Sequence, residues 1–366
     1  MTIATALVSG NDALPQLAEE AVQQALDKAG LTHANGLLLF LTPEFSRHAQ
    51  ATVTAVARKA QCTQVAGGIA SGVFTESGWT LDRPAAAVMV FGGDLSLNFQ
   101  GADEQAALSY AGGNFPPEWA NSGSRFGATF GGNFSGSSAP AEPLAWQQSR
   151  LTEQQRCSMH FAGAEITLGV SSGLKLLSQP LPIESSNGYD LEKLGGQSAG
   201  KSLYRVLPAE LRHDDALPWH HLIAVVIDGE PAADILSAAR YRPVAIIAAN
   251  ADNSLTLAER VLPGQYLAWA IRQPLTAEND MRQCLDQLAG KTPHPEAALM
   301  FSCIGRGPYF YGGEDRDLSV LCERFPELPV LGIYGTGQIA PANALTGSVN
   351  RQLQNAVVTA LISRQI

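Results

Sequence analysis

The chain has 366 residues, of which 45% are apolar and 16% charged, so it is long enough for two domains with sizeable cores. Its net charge of -10 and pI near 5.2 argue against nucleic acid or an anionic membrane as the main partner, because such a protein does not attract phosphate. The 5 cysteines are scattered without a C-x-x-C pair, which argues against a disulfide framework and a zinc ribbon.

The N-terminal residues show no targeting signal. They lack the basic and long apolar segments of a signal peptide, and no apolar run in the chain approaches the roughly 20 residues needed to span a membrane. We therefore expect a cytoplasmic protein without membrane insertion.

The first hundred residues alternate apolar runs with amphipathic segments, a pattern typical of strands and helices around one sheet. The run QVAGGIASGVF is a strand that continues into a glycine loop. We predict strands over Thr2–Val8, Gly36–Leu41 and Ala85–Phe91, and a strand with its glycine loop within Gln64–Phe74. We also predict a helix that follows Pro15 and ends at about Ala29, and a helix over Phe45–Lys59.

The segment from Gly101 to Arg150 is rich in Gly, Ser, Asn and Pro, but it carries more aromatic residues than a freely solvated linker would. We predict irregular structure packed over a domain surface, with one strand near Phe126–Phe130 and a domain boundary within the segment or just after it. Beyond it, apolar runs predict strands over Glu165–Val170, Leu222–Ile227, Val244–Ala249 and Gln265–Ile271, and a helix over Glu278–Leu288.

The stretch from Ala297 to Pro341 repeats the plan of the first third. The pattern predicts strands over Ala298–Ser302 and Pro329–Tyr334, a helix over Asp315–Phe325 between them, and a final helix over Gln352–Ser363. A second glycine loop, Gly335-Thr336-Gly337, follows the second of these strands.

The two stretches also align residue by residue. Val65, Gly67 and Gly72 fall on Val330, Gly332 and Gly337 without gaps, and Phe40 corresponds to Phe301. This alignment predicts two related halves whose glycine loops meet at one shared cleft.

Residues Gly195 to Ser202 read GGQSAGKS and fit the phosphate-binding pattern G-x-x-x-x-G-K-[ST] in full. In such a loop the backbone N–H groups and the lysine bind phosphate, while the hydroxyl binds magnesium. The strand before such a loop is apolar in a parallel sheet, but here Asp190, Glu192 and Lys193 make it polar. The context favours a glycine turn before a helix over a nucleotide site.

Two adjacent histidines, His220 and His221, precede the apolar run that begins at Leu222. Neighbouring residues on a strand face opposite sides, which disfavours a shared metal ion. Structural histidines are the commoner interpretation, and a single metal or haem ligand stays an alternative.

Cys303 and Arg306 follow the strand that ends at Ser302. A nearby cation favours a reactive thiolate, whereas a small buried residue is the structural alternative for Cys303. Arg306 stands between Gly305 and Gly307 and has room to present its guanidinium fork to a carboxylate or phosphate.

The runs ALMFSCIGRG and LPVLGIYGTGQIAP resemble the C-terminal half of a FIST domain, whose pattern is S-C-x-x-R-G after an apolar strand and P-[VL]-x-G-[FI]-[YF]-x-x-G-E-I-x-P after a helix. The runs GLLLFL, QVAGGIASGVF and AAAVMVF resemble the N-terminal half, and DLEKLGGQSAGKSLYRVL and LPGQYLAWAIR resemble the segments between. Gln338 stands where the family usually has glutamate, so a hydrogen-bonding role is kept there but a charge is not.

We predict a mixed α/β fold of two related domains whose sheets pack together with helices on the outer faces. By the resemblance, residues 1–150 form a FIST N-like domain with an irregular segment from about residue 101, and residues 151–366 form a FIST C-like domain. FIST domains are regarded as intracellular sensory modules for small molecules, proposed to include amino acids, and some similar proteins bind haem and sense nitric oxide. The resemblance spans nearly the whole chain, so a signal would pass to a separate signalling protein.

We expect an amino acid or small carboxylate to bind between the glycine loops, with Arg306 on its anionic group and binding coupled to closure of the two halves. The predicted ligand-binding residues are Arg306, Cys303, Thr336, Gln338, Asn343, Gly68, Ser71 and Gly72. No cofactor is expected. The alternatives are a haem-binding nitric-oxide sensor and an enzyme of unknown reaction that uses Cys303 or the glycine-lined cleft.

Overall fold

The structure is a computed structural model that describes residues 2–99, 105–131, 142–212, 217, 219–227, 229–231, 236, 241–341 and 349–365. The chain divides into two compact units: Met1–Ser171 with Met281–Ile366 form the larger unit, and Ser172–Asp280 form the smaller unit. The smaller unit is therefore inserted in the sequence of the larger one.

Helices and strands alternate along the chain, and the predicted mixed α/β class is confirmed. The helices are α1 (Pro15–Ala29), α2 (Ala49–Ala60), α3 (Ala199–Val206), α4 (Pro274–Lys291) and α5 (Arg316–Arg324). Short 3₁₀ helices cover Pro43–His48, Pro117–Trp119, Ala209–Arg212, Trp219–His221, Ile304–Arg306 and Pro308–Tyr311. The strands are β1 (Thr2–Ser9), β2 (Gly36–Leu41), β3 (Val65–Ile69), β4 (Gly72–Thr75), β5 (Gly78–Thr80), β6 (Ala85–Gly92), β7 (Ser96–Asn98), β8 (Ala107–Gly112), β9 (Arg125–Phe130), β10 (Ala145–Gln147), β11 (Arg150–Leu151), β12 (Arg156–Ala162), β13 (Ala164–Ser171), β14 (Leu174–Leu176), β15 (Leu181–Asn187), β16 (Asp190–Leu194), β17 (Gln197–Ser198), β18 (Leu222–Ile227), β19 (Tyr241–Ala249), β20 (Leu255–Leu257), β21 (Tyr266–Arg272), β22 (Ala297–Cys303), β23 (Val330–Gly335), β24 (Gly337–Pro341), β25 (Asn350–Leu353) and β26 (Val357–Arg364).

Two sheets of the larger unit share one plan. Their strand orders are β1-β6-β2-β3-β10-β11 and β13-β26-β22-β23-β4-β5, and in each the third and fourth strands are parallel. Leu39 pairs with Gly67 in the first sheet, and Met300 pairs with Gly332 in the second. These are aligned positions of the predicted repeat, so the two related halves are confirmed down to the strand register.

Both halves lie in the larger unit, and the smaller unit interrupts the second half. In the first half α1 follows β1 closely, whereas residues 172–280 separate β13 from the part of α4 that aligns with α1. The compact units thus have boundaries other than 150/151. The division into FIST N-like and FIST C-like segments rests on resemblance and stays a prediction.

A third sheet of the larger unit, β25-β24-β9-β8-β12-β7, completes its core. The buried core contains Phe40 from the first sheet, Phe301 and Ile333 from the second, and Phe126 from the third. The rings of Phe126 and Phe301 meet edge to face with centroids 6.2 Å apart. The three sheets therefore share one apolar interior, because each contributes a buried face to it.

The smaller unit has its own core. Its sheet runs β14-β21-β15-β16-β20-β19-β18, and β18 also pairs with β21. Helix α3 packs Leu203 against this core beside Trp269, whose indole N–H donates a hydrogen bond to the Ser202 hydroxyl at 3.1 Å.

One prediction of local structure is wrong. Residues 352–363 were expected to form a helix, but β25 and β26 occupy this segment, and β26 lies between β13 and β22. A central strand is apolar on both faces, so its sequence lacks the alternation that separates strand from helix. Within Gln64–Phe74 the predicted strand is β3, and the predicted glycine loop continues at Gly72 into a second strand, β4, which belongs to a different sheet.

Among the described residues, no helix is long and apolar enough to cross a bilayer.

Candidate functional site

Arg306 ends the 3₁₀ turn after β22 and is only 1% exposed. Its Nε and Nη2 donate to the two carboxylate oxygens of Asp317 at 2.9 and 2.8 Å. Nη1 and Nη2 also donate to the carbonyl and hydroxyl oxygens of Ser171 at 3.0 and 2.8 Å. The guanidinium fork thus positions the loop and the end of β13. A direct contact with an anionic ligand stays a prediction, and it requires the pair with Asp317 to open.

Further ionisable groups surround this ion pair. Burial alone would lower the pKa of Arg306, but the Asp317 carboxylate and Tyr311 raise it above its usual value. Asp315 caps α5 by accepting a hydrogen bond from the Leu318 N–H at 2.9 Å. Burial, together with the charge of Asp317, raises the pKa of Asp315 to about 6.

The glycines of the first loop lie in close contact with neighbouring side chains. A Cβ atom on Gly68 would come within 2.1 Å of Cε1 of Tyr110, and one on Gly72 within 2.4 Å of Cδ2 of Leu81. The Tyr110 hydroxyl, in turn, donates to the Ile69 carbonyl. Gly68 and Gly72 therefore allow close packing, and in this arrangement neither presents an open surface to a ligand.

The structure brings the two predicted glycine loops together. The Ser71 N–H donates to the Tyr334 carbonyl at 3.0 Å, and Gly72 pairs with Tyr334. On the second loop, the Thr336 hydroxyl accepts from the Gly131 N–H at 3.2 Å. The Ser71 hydroxyl, by contrast, is a buried oxygen without a hydrogen-bond partner in the part of the chain that the structure describes.

Gln338 is the most unusual polar residue in this region. It is 0% exposed on β24 and pairs with Ala128 on β9 and Leu353 on β25. Paired residues point to the same face of a sheet, and both of these partners belong to the main apolar core. Neither Nε2 nor Oε1 of Gln338 has a hydrogen-bond partner among the described residues. Leaving a buried polar atom unpaired costs about 1–3 kcal/mol.

Gln338 and Gly68 reach the same part of the third sheet. Tyr110, whose ring covers Gly68, pairs with Ala128, which pairs with Gln338. At about 4.8 Å per strand, Tyr110 and Gln338 lie about 10 Å apart along this row. Gly68 of the first half and Gln338 of the second half therefore lie near one row of the third sheet.

Cys303 and Asn343 complete the predicted set. Cys303 ends β22 and is 6% exposed, as expected of a small buried residue, and its backbone N–H donates to the Ala356 carbonyl at 3.1 Å. Its role in ligand binding or catalysis stays a prediction. Asn343 lies outside the described residues.

The phosphate-loop pattern has a structural explanation. The preceding strand, β16, pairs antiparallel with β15 and β20, and the glycines Gly195 and Gly196 form a turn with φ of 57° and 79°. The Ser202 hydroxyl, which would bind magnesium, is 5% exposed and accepts the bond from Trp269. The preferred interpretation, a glycine turn before a helix, is confirmed.

His220 and His221 lie in the 3₁₀ turn Trp219–His221, not on a strand. Their ring centroids are 4.1 Å apart, so the expectation that they face opposite sides is wrong. Burial, with smaller effects of His220 and Arg272, lowers the pKa of His221. No group of three or more His, Cys, Asp or Glu side chains within the described ranges is placed to hold a metal ion. Haem binding by one of these histidines stays an alternative prediction.

The fold and site define a mixed α/β protein with a duplicated core and an inserted unit. Comparison with known families identifies the family that one segment resembles. Residues 204–341 match the model of the FIST C domain, so the resemblance to the FIST family is confirmed through this segment. The match includes β22, β23 and β24, and therefore Arg306, Thr336 and Gln338.

Similar proteins are known from mycobacteria. An uncharacterized protein of Mycobacterium bovis and one of Mycobacterium tuberculosis are each 28% identical over 183 residues, which cover 49% of this chain and 47% of theirs. Another uncharacterized protein of Mycobacterium tuberculosis is 23% identical over 222 residues, or 59% of this chain and 58% of its own length. The chain thus spans about half the length of the curated relatives it matches.

Proposed function

We propose that the protein is a small-molecule-binding sensory protein of the FIST type. Its ligand binds at a place we call the strand-end centre, defined by Ser71, Thr336 and Gln338. The observation that carries this proposal is the fully buried amide of Gln338, whose nitrogen and oxygen both lack a hydrogen-bond partner among the described residues. Buried polar groups are nearly always paired, so an unpaired amide indicates a molecule that completes it.

The repeat does not call for an amide after the second glycine loop. The residue aligned with Gln338 in the first half is the 0% exposed Val73, which lies on β4 in the second sheet, whereas Gln338 lies on β24 in the third. The unpaired amide is thus particular to β24. Natural proteins accept such local costs where binding or catalysis needs them.

The chemistry of the amide suggests the class of ligand. Nε2 donates and Oε1 accepts from adjacent positions, so a free amino acid could accept through its carboxylate and donate through its ammonium group. A neutral glutamine, unlike the glutamate usual in the family, does not repel a carboxylate. These complementarities support an amino acid or a small carboxylate, with the Ser71 hydroxyl as a further polar contact.

The sensory role rests on the family resemblance, and we propose that the protein acts in the cytoplasm on a separate signalling protein. Ser171, held by Arg306, is the last residue before the inserted unit, and the Ser71 N–H bonds to the strand that precedes Thr336. A ligand that tightens the strand-end centre would change the larger unit where its two halves meet.

A thermal-shift screen against amino acids and small carboxylates tests the proposal, since a ligand that binds only the folded state raises its stability. The screen compares the unchanged chain with Gln338→Leu and with the control Gln352→Leu. Gln352 lies on the neighbouring strand, and its amide is already paired with the Thr129 hydroxyl at 2.9 Å. We expect a ligand-dependent rise in Tm for the unchanged chain and for Gln352→Leu, and none for Gln338→Leu.

The ligand-free variants provide a second test. Gln338→Leu removes an unpaired amide at similar volume, so its free energy of unfolding should rise by about 1–3 kcal/mol. Gln352→Leu removes a formed hydrogen bond and should lose about 1 kcal/mol. An equal ligand response of both variants would overturn the assignment of Gln338.

A further inference from the structure

A separate cavity is lined by residues of the smaller unit, whereas the residues of the strand-end centre belong to the larger unit. Its volume is about 630 Å³, within the range of about 300–1,000 Å³ that small-molecule sites have. It is formed by α3, by Trp219 and by the turn between β19 and β20. The cavity is therefore large enough for a small organic ligand.

The walls of this cavity are held by their own hydrogen bonds. The Gly200 N–H donates to the Asn253 carbonyl at 2.9 Å, which fixes the turn against α3. Within the turn, the Asn250 side chain donates to the Ser254 and Thr256 hydroxyls at 2.9 and 3.1 Å. A site whose walls are already ordered loses little conformational entropy when a ligand binds.

Most of the wall is apolar. Leu203 and Leu255 are each 1% exposed and form the inner surface, and the Trp219 ring lies at the side. Tyr204, at the rim, is 51% exposed and donates through its hydroxyl to the Arg212 carbonyl at 3.0 Å. Such a surface suits a hydrocarbon or aromatic body.

The rim carries positive charge. Lys201 and Arg205 stand four residues apart on α3, so they share one face of the helix. No described residue forms a hydrogen bond or ion pair with either side chain, and the described lining includes no carboxylate. The nearby Asp252 carboxylate accepts from the Ser254 N–H at 2.9 Å and from its hydroxyl. Two like charges at this spacing destabilise a helix, and a bound anion would reverse that effect.

We infer that this cavity is a second binding site, for an amphipathic carboxylate. The apolar tail contacts Leu203, Leu255 and Trp219, and the carboxylate lies between Lys201 and Arg205. The lysine of the GGQSAGKS pattern thus binds an anion from a helix face, not from a phosphate loop. This site is independent of the strand-end centre and goes beyond the proposed function.

Calorimetric titration of the full chain with octanoate and with octanol tests this site, because the two probes share an eight-carbon chain but octanol has a neutral hydroxyl in place of the carboxylate. Octanoate should bind with one site per chain, and its affinity should fall as salt rises, since the rim charges are exposed. The variant Lys201→Gln/Arg205→Gln should weaken octanoate binding by about tenfold or more and leave octanol binding unchanged. Trp219→Ala should weaken both probes.

Two control variants test whether the loss of octanoate binding is specific to the cavity. Lys175→Gln changes an exposed lysine of the same unit that does not line the cavity, and it should leave octanoate binding unchanged. Gln338→Leu should also leave it unchanged, so failure of this site and failure of the strand-end centre are distinguishable. The inference is overturned if folded protein does not bind octanoate at millimolar concentration, or if the double variant binds it as the unchanged chain does.

Discussion

The two halves of the larger unit share their backbone plan but fill aligned positions with different chemistry. Phe45 follows β2 in the first half, and the residue aligned with it in the second half is Arg306; both are at most 1% exposed. The partner of Arg306, Asp317, lies on α5, whereas the polar Thr52 of α2 donates through its hydroxyl to the His48 carbonyl within its own helical segment. The fold therefore does not require a buried ion pair at this position, because a buried phenylalanine, Phe45, occupies it in the first half.

The same contrast continues at the neighbouring strands. Ser171, which accepts two hydrogen bonds from Arg306, aligns with Val8 through the registers of β1 and β13. Gln338 aligns in sequence with the buried Val73, although the two residues lie in different sheets. At each of these aligned positions the polar or charged residue belongs to the second half. Since buried polar groups cost stability unless they are fully paired, these differences favour a functional role for the second-half residues.

The largest expected effect comes from breaking the buried ion pair. Arg306→Met leaves the Asp317 carboxylate buried without its partner, and we expect the free energy of unfolding to fall by about 3–5 kcal/mol. Arg306→Met/Asp317→Leu, which makes the site apolar like that of the first half, should recover much of this loss. Urea unfolding, or soluble yield if the single variant does not fold, measures the difference. Equal stability of single and double variants would contradict the comparison.

The next largest effect depends on pH. Asp315 has a pKa of about 6 in the folded protein against an ordinary value of 3.8, so the folded state binds its proton more tightly than the unfolded state. The contribution of Asp315 to the free energy of unfolding is greatest below about pH 4 and falls by about 3 kcal/mol as the pH rises through 6. Asp315→Asn keeps a capping side chain but cannot ionise. We measure the free energy of unfolding of the unchanged chain and of Asp315→Asn against pH, and the difference between them should change by this amount. A difference that stays constant from pH 4 to 7 would refute the prediction.

A smaller effect concerns the packing of Gly68. Its aligned residue in the second half is the buried Ile333, and in the first half the Tyr110 ring lies over Gly68. Gly68→Ala should cost about 1–3 kcal/mol, because the new methyl group overlaps Tyr110. In a Tyr110→Ala background the same change should cost less. If the two substitutions lower the free energy of unfolding additively in denaturant titrations, contact with the Tyr110 ring is not the reason that glycine occurs at position 68.

The smallest expected effect is a gain. Gly290 in α4 aligns with Ala29 in α1, and a Cβ atom at Gly290 would meet nothing within 4 Å. Gly290→Ala should raise the free energy of unfolding by about 0.5–1 kcal/mol, because alanine has the higher helix propensity. Thermal unfolding checks this value, and a loss of stability would show that the two helices differ more than their alignment implies.

Local patterns predicted much of the fold. The bounds of β2 agree with the structure residue for residue, and α1 begins at Pro15 and ends at Ala29, close to the predicted bounds, because proline, glycine and one apolar run mark these elements. The repeat was also visible from a few glycines and one phenylalanine. The segment at β26 was mistaken for a helix, since a strand buried on both faces has no period of two.

The candidate site was harder to predict, because its contacts join distant segments. The bonds from Arg306 to Asp317 and to Ser171 span 11 and 135 residues, and nothing in a single sequence reports them. Arg306 therefore looked available to a ligand. Gln338 was predicted as an uncharged hydrogen-bonding residue of the second glycine loop, where the family usually has glutamate. Its isolation became visible only when β9 and β25 were found on either side of it.

The central claim is that a polar ligand completes the buried amide of Gln338. The most direct measurement is a high-resolution crystal structure of the full chain, grown with the amino acid or carboxylate that gives the largest thermal shift. We predict electron density for that molecule within hydrogen-bonding distance of both Nε2 and Oε1 of Gln338. Density for a single water molecule, or an amide paired with protein atoms alone, would contradict the claim.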